Sequence, residues 1–84
     1  MEKKLVGKVT HYFTKLGVAV VELEDTLKQG DRISIEGTTT NFTQTVDSMQ
    51  IDRQPVQEAG AGQSVGLKVA ERVREGDKVF KLLE

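Results

Sequence analysis

His11 is the single histidine of this 84-residue chain, and cysteine is absent. A multi-histidine metal site, a thiolate site and a relay through a second histidine are therefore excluded. One histidine can still act as a general base beside a nucleophile. Nothing at an identifiable spacing supports that role, so His11 reads as a partly exposed residue near a strand end. Asp31, Asp47, Asp52 and Asp77 supply carboxylates, but no two stand out as a catalytic pair, and calcium-loop spacing is missing. Ala59-Gly60-Ala61-Gly62 suggests a phosphate cradle only until its context is considered. No helix pattern follows it, so backbone amides and a helix dipole are not aimed at one point. No loop of the Gly-x-x-x-x-Gly-Lys-Ser/Thr type occurs, and GTP binding is not expected. The expectation is a chain that is not an enzyme and holds no cofactor or metal.

The remaining chemistry is that of binding. His11, Tyr12 and Phe13, followed by Lys15, place aromatic rings beside a positive charge. Such a cluster stacks on a nucleic-acid base or a peptide. The competing reading has Phe13 closing the core with the other rings flanking it, since large aromatics usually go inside. Thr38, Thr39, Thr40, Asn41, Thr43 and Thr45 form a hydroxyl-rich stretch that can reach phosphates or sugars. Threonine also favours strands, which is the plainer explanation. Arg53, Lys68, Arg72 and Arg74 join Lys8 and Lys15 as potential members of a basic face, although each alone is an ordinary surface charge. Val18 and Val20 fall on the side of their strand opposite Ala19 and Val21, so something must cover them. The candidate contact residues are Lys8, His11, Tyr12, Lys15, Val18, Val20 and Arg53.

Composition limits the partners. Twelve basic residues meet thirteen acidic ones, for a formal net charge of −1. That balance opposes coating nucleic acid by bulk electrostatics, while leaving room for a local patch. The longest apolar run, Val18-Ala19-Val20-Val21, is too short to span a membrane. Gly7-Lys8 interrupts any signal-peptide core after Lys3-Lys4. A cytoplasmic protein with no membrane partner is expected.

The elements that must position these residues are strands. Six are expected, at about Lys4–Phe13, Gly17–Glu24, Arg32–Glu36, Phe42–Ile51, Gln63–Val69 and Lys78–Leu83. In the first, Leu5, Gly7 and Val9 share a face by the two-residue period. In the fourth, the apolar positions Val46, Met49 and Ile51 break strict alternation, which predicts a β-bulge near Asp47-Ser48. Leu27-Lys28-Gln29-Gly30-Asp31-Arg32-Ile33 recurs loosely as Val73-Arg74-Glu75-Gly76-Asp77-Lys78-Val79. Both read as a Gly-Asp turn launching a strand, with glycine at positive φ. A single all-β domain over residues 1–84 is expected, a small closed six-stranded antiparallel β-barrel that protects its edges by closing.

Gly7-Lys8-Val9, the Gly17–Leu23 strand, Leu27 to Ile33, Val46 to Ile51, Ala59-Gly60-Ala61-Gly62-Gln63-Ser64-Val65-Gly66-Leu67 and Val73 to Phe80 together resemble the second domain of translation GTPases of the elongation factor Tu class. A second likeness lies inside the first. Gly30-Asp31-Arg32-Ile33-Ser34-Ile35-Glu36-Gly37, then Phe42-Thr43-Gln44-Thr45-Val46 and Met49, is similar to the C-terminal barrel of the collagenase-like peptidase family. Both likenesses imply the same barrel. The first implies a stand-alone elongation factor-like module, lacking the GTPase domain, that binds tRNA, ribosomal RNA or a translation-related protein. The second implies a protein-docking accessory to a separate enzyme, with self-association into homo-oligomers as another form of docking.

Overall fold

The β-branched runs become ten strands and no helix among the described residues, 2–83 of a computed structural model. They are β1 (Glu2–Phe13), β2 (Val18–Leu23), β3 (Leu27–Lys28), β4 (Arg32–Glu36), β5 (Asn41–Thr45), β6 (Met49–Ile51), β7 (Gln54–Val56), β8 (Glu58–Ala59), β9 (Ser64–Lys68) and β10 (Lys78–Leu83). Eight form one antiparallel sheet in the order β5-β4-β10-β1-β2-β9-β6-β7, and β3 pairs separately with β8. The expected all-β class holds; the expected six-stranded closed barrel does not. β5 and β7 are the two edges of the sheet, and no ladder joins them among the described residues.

The fold approaches closure by another route. The chain leaves β5, turns through 46–48 and re-enters the sheet as β6 beside β9. Across this corner the Gln44 amide group donates to the Lys68 carbonyl at 2.9 Å and accepts from the Ala70 N–H at 2.7 Å. One side chain thus substitutes for two ladder bonds. The bulge expected near Asp47-Ser48 is instead this break between strands, because the chain there changes its pairing partner from β4 to β9.

The core consists of rows of directly opposed residues, which share a face of the sheet. One row runs Val9–Val21–Val65 and another Ala19–Leu67–Met49. All six side chains are buried. Each valine, leucine or methionine among them is worth about 1.5–3 kcal/mol when fully removed from water. A third row runs Leu23–Gly7–Val79–Ile35–Phe42, with glycine in the middle of large neighbours.

Two β-bulges in β1 decide which residues enter these rows, at Leu5/Gly7 and at Val9/His11. A bulge adds one residue and so reverses the inside–outside parity of everything beyond it. The first puts Val6 inside and Leu5 outside, at 39% exposure, so Leu5 does not share the face of Val9 as the two-residue period predicts. The second turns Tyr12 inward and leaves His11 and Phe13 outside. Thr10 is the extra residue there, and its hydroxyl donates to the Val20 carbonyl at 3.3 Å.

The recurrent Gly-Asp segments adopt one solution twice. Asp31 N–H donates to the Lys28 carbonyl, and Asp77 N–H to that of Arg74, both at 3.1 Å. The Asp31 carboxylate accepts from Lys28 N–H, and that of Asp77 from Arg74 N–H, both at 2.9 Å. Gly30 and Gly76 have φ of 95° and 93°. Each turn also exchanges two backbone hydrogen bonds with a core valine, Val46 for the first and Val9 for the second. Leu27 and Val73, one residue before the turns, are buried equivalently. The segment of residues 52–62, between the expected fourth and fifth strands, contains β7 and β8. Its first reversal is a two-residue hairpin with Asp52 and Arg53 both at positive φ, the geometry that matches sheet twist.

Candidate docking surface

The β1–β2 hairpin carries the surface with the most unusual chemistry. Its turn closes with the N–H groups of Leu16 and Gly17 donating to the Phe13 carbonyl, at 3.1 and 2.9 Å. Gly17 takes a φ of 65°, which reverses the chain into β2. In the ladder His11 faces Val20, Phe13 faces Val18, Val18 faces Lys68 and Val20 faces Gly66. Because Ala19 and Val21 are buried, these partners all lie on the outward side of the sheet.

The result is an apolar strip across β1, β2 and β9. Phe13 is 44% exposed and Leu16, at the turn, 64%. Val18 and Val20 are half-buried. Gly66 has no side chain to cover them, and a Cβ there would lie 3.4 Å from a Val18 methyl. The His11 ring meets Phe13 edge-on at 4.5 Å between centroids, and His11 Nδ1 lies 3.4 Å from a Glu75 carboxylate oxygen. Lys15 on the turn and Lys68 beside Val18 flank the strip, and among the described residues neither forms an ion pair.

The structure therefore brings together His11, Lys15, Val18 and Val20 of the expected contact set. Tyr12 is not with them: it faces Ala19 and packs against the core, half-buried, because of the bulge at Thr10. Phe13, expected to close the core, is on the surface for the same reason. Arg53 sits in the β6–β7 hairpin, beyond the Ile51–Gln54 pair and away from the β1–β2 turn. Lys8 lies between Glu22 and Lys78 in the ladders, farther along β1 from the turn. Phe13, Leu16 and Lys68 complete the surface. Only the bulge puts Phe13 outside, and no sequence signal marked it.

Two carboxylates titrate unusually, both at the other end of β1. A hydrogen bond from Lys3, and then one from the Ser34 hydroxyl, hold Glu36 below the usual carboxylate range. A hydrogen bond from Lys4, and then the Thr26 N–H, do the same for Asp25. Neither is placed for catalysis. Among the described residues no group of three or more histidines, cysteines or acids could hold a metal. No helix there is long and apolar enough to cross a membrane.

No family model matches the chain. It is 44% identical over 80 residues to an uncharacterized protease of Methanocaldococcus jannaschii, a match covering 94% of this chain and 20% of that protein. It is 40% identical over 82 residues to a collagenase of Porphyromonas gingivalis, covering 95% of this chain and 23% of the collagenase. The chain thus spans about a fifth of the length of the curated relatives it matches. Among solved structures, the C-terminal domain of a Geobacillus thermoleovorans protein designated a U32 peptidase superposes with a TM-score of 0.89. That likeness covers 95% of this chain and 93% of the other at 23% identity, and defines the fold.

These findings support the likeness to the collagenase-like peptidases and lend none to the likeness to elongation factors. They overturn the translation reading. The relatives are named as a protease and a collagenase, so a role in binding tRNA, ribosomal RNA or translation components is withdrawn.

Proposed function

We propose that the chain is a non-catalytic accessory module of a peptidase system, packing against a catalytic unit. The observation that carries this reading is the mismatch in coverage. Nearly all of this chain aligns with proteases, yet it accounts for only about a fifth of each. What is shared is a whole folding unit, with its own core, attached to a much longer polypeptide. The chemistry of the unit agrees. Among the described residues the one histidine makes no hydrogen bond to a hydroxyl, and the outward apolar strip is what a surface built for contact requires.

The test is a chimaera. The 80 residues of the Methanocaldococcus jannaschii protease that match this chain are replaced by it, and hydrolysis of a fluorogenic peptide is compared with that of the same protease lacking the segment. The expected result is hydrolysis by the chimaera, reduced hydrolysis without the segment and none by this chain alone. Hydrolysis by the isolated chain would sink the accessory reading.

A further inference from the structure

The outward strip suggests where the module docks and what it meets there. We infer that the β1–β2 hairpin, through Phe13, Leu16 and Val18 between Lys15 and Lys68, binds an acidic protein surface that presents an apolar anchor. This deepens the accessory-module reading and rests on it. Large exposed apolar side chains on an otherwise charged sheet mark contact sites. Phe13 and Leu16 are the two most exposed large apolar residues described. They sit at one hairpin end, where the rigid ladders fix their spacing.

The charge pattern selects the occupant. Lys15 and Lys68 flank the strip without an acidic partner within the described residues. Three other lysines are neutralised by pairing, Lys3 with Glu36, Lys4 with Asp25 and Lys81 with Asp31. Among the described residues, Glu75 is the acid whose carboxylate comes within salt-bridge distance of the strip, 3.4 Å from His11 Nδ1. An acidic partner would therefore meet two uncommitted cations around an apolar centre, the arrangement that steers association and fixes register. A second copy of the chain is disfavoured, because two such hairpins would oppose like charges.

The experiment is a titration of the full chain against the part of the Methanocaldococcus jannaschii protease outside the matching segment, read by fluorescence anisotropy. Wild-type chain, Phe13→Ser/Leu16→Ser and Lys15→Glu/Lys68→Glu are compared. All four positions are exposed, and thermal melts verify that each variant remains folded. Each double substitution is expected to weaken binding by about tenfold or more, as truncation of interface anchors does. Wild-type affinity is expected to fall with added salt, and the charge-reversed variant to lose that dependence. If wild-type chain binds and both variants bind equally well, the hairpin is not the docking surface, while the accessory reading survives. If wild-type chain fails to bind, both ideas fall. Dimerisation of the chain abolished by Phe13→Ser/Leu16→Ser would show that a second copy is the occupant and overturn the acidic partner.

Discussion

Replacing Gly7 with alanine adds one methyl group where β1 lies close against the backbone of β2. The new Cβ would lie 2.6 Å from the Glu22 carbonyl oxygen and 2.8 Å from a Val21 methyl. The first contact is with backbone, which cannot rotate away. Gly7 is also held between Leu23 on β2 and Val79 on β10, so neither neighbour is free to retreat. Overpacking of this kind costs about 1–3 kcal/mol. Alanine recovers roughly 0.5–1 kcal/mol, because glycine loses more backbone freedom on folding. The net loss is on the order of 1–2 kcal/mol, and for a domain of this size each kcal/mol moves Tm by about 4–8 °C. A drop in Tm of roughly 10 °C is therefore expected in a circular-dichroism melt, with the urea midpoint falling at unchanged slope. Gly30→Ala is the control: it meets nothing within 4 Å and tests only the cost of positive φ. A Gly7→Ala protein as stable as wild type would refute the close approach of β1 to β2 and the row that contains it.

Three further outcomes follow from the geometry. Asp77→Ala removes the acceptor for Arg74 N–H in the second Gly-Asp turn, where Asp77 is buried, and should cost about 1–2 kcal/mol in urea unfolding. Gln44→Leu keeps the side-chain size but deletes both bonds across the corner between β5 and β9. It should cost about 1 kcal/mol and increase hydrogen exchange at Ala70, which nuclear magnetic resonance can read residue by residue. The lowered proton affinities of Glu36 and Asp25 fix the sign of an acid effect. Their unfolded forms take up protons first, so their contribution is complete above the usual carboxylate range and disappears as pH falls through the lowered values. The urea midpoint should decline below about pH 5, and Lys3→Met should flatten that decline; an unaltered pH profile would remove the Lys3–Glu36 pair from the account.

The paired Gly-Asp turns set a structural symmetry within a short chain. Both deliver a strand, β4 after Asp31 and β10 after Asp77, and those two strands lie side by side. Gly37 packs directly on the second turn: a Cβ there would collide with an Asp77 carboxylate oxygen. The equivalent carboxylate of the first turn meets Lys81 at 3.3 Å instead. The same local chemistry is thus closed by backbone contact at one site and by charge at the other.

Local signals in the sequence were enough for the all-β class, the core faces of β2, β4 and β9, and the twin Gly-Asp turns. These depend on side-chain period and on glycine at positive φ, which nearby residues determine. The absence of a histidine cluster or a cysteine likewise followed from composition. The contents of the candidate surface did not follow. A bulge leaves no mark in composition, since it is one extra residue set into one strand of a ladder, yet the two in β1 moved Leu5 and Phe13 outward and Tyr12 inward. The turn at Asp52-Arg53 was equally hidden, because it places positive φ on residues that are not glycine. Closure was undecided for a similar reason. Whether β5 pairs with a second strand or reaches across to β9 only through its own Gln44 side chain depends on where residues 46–48 send the chain, and that is fixed by the packing of Val46 and Met49 in the core rather than by their own preferences.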